Sequence, residues 1–192
     1  MRMDLAIPRL RRRLGSEEGN SLVEMALVSA FVLIPALFGI IEFSYGLYTY
    51  NWVNMVTRQA TRYAVVRGAP SCQIQSGFQD CDLGPDSSMN TTTATAIQNY
   101  VASFAYPGIF TDSSHLTVAT TWLSPTVTSG TNGYSRTSWT TACTTSAPST
   151  PKCNTPGYAV RVSVQYNFPL AIPYWKRVTL PFTATSQMVI NE

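Results

Sequence analysis

Charge is what this sequence has least of. Asp, Glu, Lys and Arg make up 12% of its 192 residues, about half the ~25% usual for a soluble domain. Their place is taken by uncharged polar residues. Eight of the charges (Arg2, Asp4, Arg9, Arg11, Arg12, Arg13, Glu17 and Glu18) fall in the first 18 positions, and the remainder of the chain is nearly neutral. No basic stripe long enough to neutralise several phosphates lies beyond that tail, which argues against nucleic acid as a partner. Catalytic equipment is scarce as well. There is one histidine, His115, and the only acids between residues 68 and 191 are Asp80, Asp82, Asp86 and Asp112. With no nucleophile elbow and no phosphate loop, general acid–base chemistry lacks its players. The expectation is a chain without catalytic activity or cofactor, long enough for one domain plus a tail or anchor.

What the chain does have is one long apolar run. MALVSAFVLIPALFGII, between Glu24 and Glu42, is free of charge, and its neighbours Leu22, Val23 and Phe43 extend it to about the 20 residues that span ~30 Å of hydrocarbon. Residues 22–43 therefore read as a transmembrane segment. Arg9, Arg11, Arg12 and Arg13 precede it, whereas the first base after it is Arg58, so the positive-inside rule puts the N-terminus in the cytoplasm and all that follows outside. Pro35 removes the bond to the carbonyl of Phe31 and is expected to kink the span, which membranes tolerate.

The helix is expected to continue past the membrane. No proline and only Gly46 interrupt Phe43 to Val66, and Gly68, Ala69 and Pro70 then supply a stop. A helix from residue 20 to 66 reaches roughly 70 Å. In its outer half Val53, Val56, Ala60, Tyr63 and Ala64 share one stripe, and Asn51, Asn54, Arg58 and Arg62 another. The apolar stripe requires a partner, either the chain's own C-terminal domain or another subunit.

From residue 68 onward Ser, Thr, Gly and Pro dominate. Ala94, Ile97, Val101 and Phe104 predict a short amphipathic helix over 91–105. Strands are predicted at Leu116 to Leu123, at Tyr158 to Phe168, where apolar and polar residues alternate throughout, and at Val178 to Ile190, where Pro181 favours an edge or a bulge. Residues 124–157 read as a long Ser/Thr-rich surface loop. The fold class is α+β: one long N-terminal helix packed on a small antiparallel sheet, with a short second helix and Ser/Thr-rich loops. Three segments follow, a basic cytoplasmic leader at 1–19, the long helix at 20–67 and an outer domain at 68–192.

All four cysteines fall in that outer domain, which suits an oxidising compartment such as the periplasm. Four cysteines permit three pairings. The local ones, Cys72 with Cys81 and Cys143 with Cys153, each bracket a turn-rich loop and are preferred, with the connectivity left open by sequence. Zinc is disfavoured, because neither pair has CxxC spacing. Asp80, Asp82 and Asp86 form a weak calcium candidate, set against a plain solvated acidic loop; Gly84 and Pro85 depart from the EF-hand pattern.

The most informative stretch is Gly19, Asn20, Ser21, Leu22, Val23, Glu24. An ordinary secretory signal puts its cleavage site after the apolar region. Here the glycine precedes it, so cutting after Gly19 would remove the basic leader and leave the helix on the mature chain. Glu24 is costly in a membrane helix, though less so near the interface. The α-amino group of a mature Asn20 on a neighbouring subunit would pair with it; alternatively the carboxylate reaches up to lipid headgroups.

GNSLVE resembles the class III prepilin signature. The wider stretch from Glu17 to Gly68 resembles the TadE-like domain of minor pseudopilins in tight-adherence pili: an acidic pair before Gly19, the glutamate Glu24, Gly39-Ile40-Ile41-Glu42 closing the apolar run, and Gln59 to Tyr63 matching an Ala-Arg-Tyr ending, altered here to Thr61-Arg62-Tyr63. Met25 stands where the major pilins carry tyrosine, which fits a minor pseudopilin. The resemblance implies a precursor processed at Gly19 and Asn20 by a prepilin peptidase and assembled through Glu24. Its implied partners are other pilus or pseudopilin subunits, an inner-membrane assembly platform and membrane lipid, and its implied place is the bacterial inner membrane with the outer domain periplasmic or extracellular. The competing reading is an uncleaved single-pass protein presenting an adhesive or ligand-binding outer domain, suggested by the Thr-rich loop and by Trp122 and Trp139.

Overall fold

A computed structural model describes residues 17–68, 83–84, 93–130, 134–143, 153–171 and 176–191. Helix α1 spans Glu17–Val28, a π-helical turn Ser29–Leu33, α2 Ile34–Val66 and α3 Thr93–Ser103; strands β1 Leu116–Ser129, β2 Ser135–Ala142, β3 Ala159–Leu170 and β4 Val178–Val189 follow. The π turn ends two residues before Pro35. A proline ring crowds the carbonyl four residues back and offers it no N–H, so the preceding turn widens to i→i+5 bonding.

The chain divides within α2. Described residues up to Ser44, with Ala171, Lys176 and Arg177, form one compact unit; the other runs from Tyr45 to Leu170 and from Val178 onward. In the first unit the helix buries almost nothing of itself. Its apolar side chains from Leu22 to Phe43 are exposed on every side.

The second unit is a four-stranded antiparallel sheet of order β2-β1-β3-β4 with the outer part of α2 packed on one face. Val160, Val162, Val164, Tyr166 and Phe168 are buried on central strand β3, while Arg161, Ser163, Gln165 and Asn167 alternate to the other face. Each buried side chain contributes roughly 1.5–3 kcal/mol. From α2 come Trp52, Val53, Val56, Ala60 and Ala64, so the helix's apolar stripe finds its partner in the chain's own sheet. Thr49, Thr57 and Thr61 are buried among them; their hydroxyls donate to carbonyls four residues earlier, at 2.9, 2.6 and 2.8 Å, which satisfies them inside an apolar contact. Helix α3 adds Ala96, Ile97 and Val101, and Leu83 reaches the same core, its amide bonded to the Arg67 carbonyl at 2.8 Å.

Strand β4 lies at the sheet edge, where Pro181 opposes Asn167, as its missing donor demands. The expected loop over 124–157 is corrected in its first half: β1 continues to Ser129 and pairs with β2, the register shifting between Ser124 and Thr126 around Pro125. Both strands here are largely exposed, so threonine's β preference and backbone pairing form them without an alternating apolar signal. The Gln187 amide of β4 donates to the Trp139 carbonyl of β2 at 3.3 Å, so the two edges approach each other and the sheet curls. Leu123 and Ala159, placed by the pleat on this outer side, are buried.

Candidate functional site

The N-terminal helix is the part of the molecule built to meet something else. Met25, Phe31, Val32, Ile40 and Phe43 are each at least 60% exposed, and the other large apolar side chains from Leu22 to Ile41 are exposed with them. A helix apolar all round is stable only when lipid or other helices surround it. It is the one helix among the described residues long and apolar enough to cross a membrane. Glu24 is exposed near its beginning, and the one ion pair among the described residues is His115 with Asp112, so Glu24 has no counter-charge among the described residues. Gly19 and Asn20 lie in the first turns of α1; their burial falls outside what is described, as do residues 1–16 of the 1–19 leader altogether.

Farther along, the exposed side of α2 is polar. Asn51, Asn54, Met55, Arg58, Gln59 and Arg62 line a shallow open depression, with Arg58 and Arg62 one turn apart and both exposed. The Asn54 amide donates to the Tyr50 carbonyl at 2.9 Å. Tyr63, from the expected apolar stripe, is half-buried: it stacks on Tyr100 of α3 with ring centroids 3.9 Å apart, and the Arg67 guanidinium lies 3.9 Å from its centroid. The helix end is thus fastened by an aromatic and cationic stack, of which Tyr100 gave no sign in sequence.

The chemistry-bearing residues of the outer domain that are described bond within the fold. His115 Nδ1 lies 2.7 Å from Asp112 Oδ1 and 3.0 Å from Ser114 Oγ, and the Ser114 hydroxyl donates to the other Asp112 oxygen. A charge-relay triad needs serine and aspartate on opposite ring nitrogens; here both meet the same one, within a four-residue turn. The Ser114 bond, then the His115 bond and charge, hold the Asp112 carboxyl below its ordinary value. Burial pushes the Tyr166 phenol up; its oxygen accepts the Phe110 amide at 3.3 Å. Trp122 is in the core, and the Trp139 indole donates to the Gly157 carbonyl at 2.9 Å, so neither is presented freely to a ligand.

Cys143 and Cys153 form a disulfide, Cα atoms 5.9 Å apart, which ties the end of β2 to the turn before β3. Cys72, Cys81, Asp80, Asp82 and Asp86 lie outside the described residues. Among the described ones no cluster of His, Cys, Asp and Glu could hold a metal ion.

Comparison with known families agrees with the helix. The model of the TadE-like protein family matches residues 19–62, which runs from the glycine before the apolar run through the core-packed half of α2. No curated protein and no solved structure matches the chain.

Proposed function

From a TadE-like region at residues 19–62, we propose that this protein is a membrane-anchored minor pseudopilin that takes part in assembling a tight-adherence pilus or a related secretion system. The observation that carries the reading is the helix surface of residues 21–43, apolar on every side and marked by one exposed carboxylate, Glu24. Lipid covers such a surface before assembly, and neighbouring subunit helices cover it afterwards. A prepilin peptidase of the bacterial inner membrane cuts after Gly19, removing the leader with Arg9, Arg11, Arg12 and Arg13. Those arginines keep the N-terminus cytoplasmic and place the outer domain in the periplasm, where the Cys143–Cys153 disulfide is chemically at home. The new α-amino group at Asn20 then neutralises Glu24 of an adjoining subunit, removing the cost of a lone carboxylate at the membrane. Assembly partners are other pilus subunits and the inner-membrane platform, and the protein's role involves no catalytic step.

The test is N-terminal sequencing and intact mass of the protein from membranes of a host carrying its own prepilin peptidase, beside a Gly19→Leu variant, with sheared filaments probed for the chain. An N-terminus at Asn20 that the variant lacks, with the protein in filaments and Glu24→Ala absent from them, supports the reading. An intact leader in both, with no protein in filaments, overturns it in favour of an uncleaved anchor that displays its outer domain.

A further inference from the structure

Between Asn51 and Arg62 the exposed side of α2 has the form of a seat for another helix. Asn51, Met55 and Gln59 make one row at four-residue spacing, Asn54, Arg58 and Arg62 make the next, and these two rows alone line the shallow depression. Rows of that spacing are the ridges of a helix surface, and the groove between two of them accepts a ridge of a neighbouring helix. Met55 in the first row is 37% exposed, and Val66, one turn beyond Arg62 in the second, is 74% exposed, so apolar surface lies before and after the arginine pair. The arginines themselves lack a carboxylate. Among the described residues from Tyr45 onward the only acid is Asp112, and it pairs with His115. Leu83 and Gly84, the described residues beside Asp82, are buried, Leu83 in the core that the opposite side of α2 faces.

We propose that this face docks a helix of a different protein chain, one that carries two carboxylates a turn apart. Charge complementarity sets the chemistry. Arg58 and Arg62 repel each other at four-residue spacing, and two glutamates or aspartates at the same spacing on the partner meet both, each guanidinium holding a carboxylate through two N–H donors. Asn51 and Gln59 line the other side of the depression, and their amides supply the hydrogen bonds of a polar rim. Shape sets the partner's form. The stretch from Asn51 to Arg62 measures about 17 Å along the axis, a straight seat for about three turns of helix and too open to enclose a small molecule. A second copy of this chain does not supply the partner, because no two acids on its described helices stand three or four residues apart. The inference uses only the outer half of α2 and is independent of the pilus assignment.

The test is photo-crosslinking in the native host, with the full chain carrying Met55→benzoylphenylalanine and the adduct mapped by mass spectrometry. The expected adduct joins this position to a helix of another protein that has acids three or four residues apart. Arg58→Glu with Arg62→Glu is expected to lower the yield several-fold, and replacing the two mapped acids by arginine is expected to restore it, an effect that a misfolded variant would not show. The double reversal keeps a like-charged pair at the same spacing, so its unfolding midpoint, read by circular dichroism on the protein purified in detergent, should match that of the parent. An adduct to a second copy, to lipid, to another part of the same chain or to a segment without paired acids overturns the proposal. So does an adduct that survives the charge reversal, a failed restoration, or no adduct at all.

Discussion

The indole N–H of Trp52 donates to the carbonyl of Phe104 at 2.8 Å, so a side chain of α2 caps the backbone that leaves α3. The same ring meets the edge of Tyr166 at 5.9 Å and is buried to 3% exposure. Trp52→Phe keeps most of the packing and deletes the donor, leaving a part-buried carbonyl without its partner. The expected loss is about 1–2 kcal/mol, read by denaturant unfolding in detergent micelles. A loss indistinguishable from zero contradicts the capping role.

Gly108 has φ +94°, and a Cβ there would lie 2.8 Å from the Tyr45 hydroxyl oxygen. Gly108→Ala therefore meets both backbone strain, on the order of 1–3 kcal/mol, and a steric conflict with the group that fastens the turn. Tyr45→Phe relieves only the conflict. The double variant is expected to recover part, not all, of the stability lost by Gly108→Ala, a non-additivity that a double-mutant cycle measures.

The Cys143–Cys153 bond closes a short loop, the sequence separation being 10. The chain-entropy treatment gives about 3 kcal/mol for a loop of that size. Cys143→Ser with Cys153→Ser is expected to lose about that much, and to lose amide protection in β2 before β3, because β2 is an edge strand with mostly exposed side chains. Equal protection of both strands in the variant would show that β2 does not depend on the bond.

How much of this was legible in the sequence depended on whether a residue's surroundings leave a periodic trace. Tyr158 to Phe168 alternates because one face of β3 is core, and β3 forms there. Val53, Val56, Ala60 and Ala64 gave the stripe of α2, and the family match falls on the stretch where the resemblance was read. β2 was invisible: with both faces solvated, Ser135–Ala142 has no pattern to show. Thr49, Thr57 and Thr61 were missed as core because their polarity is cancelled locally, by bonds to their own helix. The contact of Tyr48 with Tyr106 was missed because Tyr106 is a turn's residue, and their convergence exists only in three dimensions. Asn154, fully buried with its amide on the Leu83 carbonyl at 3.2 Å, looked like any other loop asparagine.

Asp112 makes the pH behaviour predictable in sign. Its hydrogen bond from Ser114, followed by His115, holds its carboxyl below the ordinary 3.8. A group lowered in the folded state stabilises that state above its unfolded value, and the contribution disappears as pH falls through the folded one. Its loss therefore sets in as pH falls toward 3.8 and continues below it, and neutral pH is unaffected by it. Ser114→Ala is expected to move the Asp112 midpoint up toward 3.8 in a carbon-detected NMR titration; an unchanged midpoint would assign the shift to other causes.

Arg58 and Arg62 stand one helical turn apart on the exposed side of α2. Like charges at that spacing disfavour the helix by a few tenths of a kcal/mol, whereas glutamate four residues before arginine favours it by ~0.3–0.5 kcal/mol. Arg58→Glu converts the first case into the second without touching the buried stripe, so a stability gain of about 0.5–1 kcal/mol is expected at low salt. Near 1 M salt, where the screening length is about 3 Å, the gain should largely vanish. Arg58→Gln separates the two contributions, since it removes the repulsion and adds no pair. If Arg58→Glu instead destabilises the isolated protein at low salt, Arg58 has an acidic neighbour that this helix face does not show.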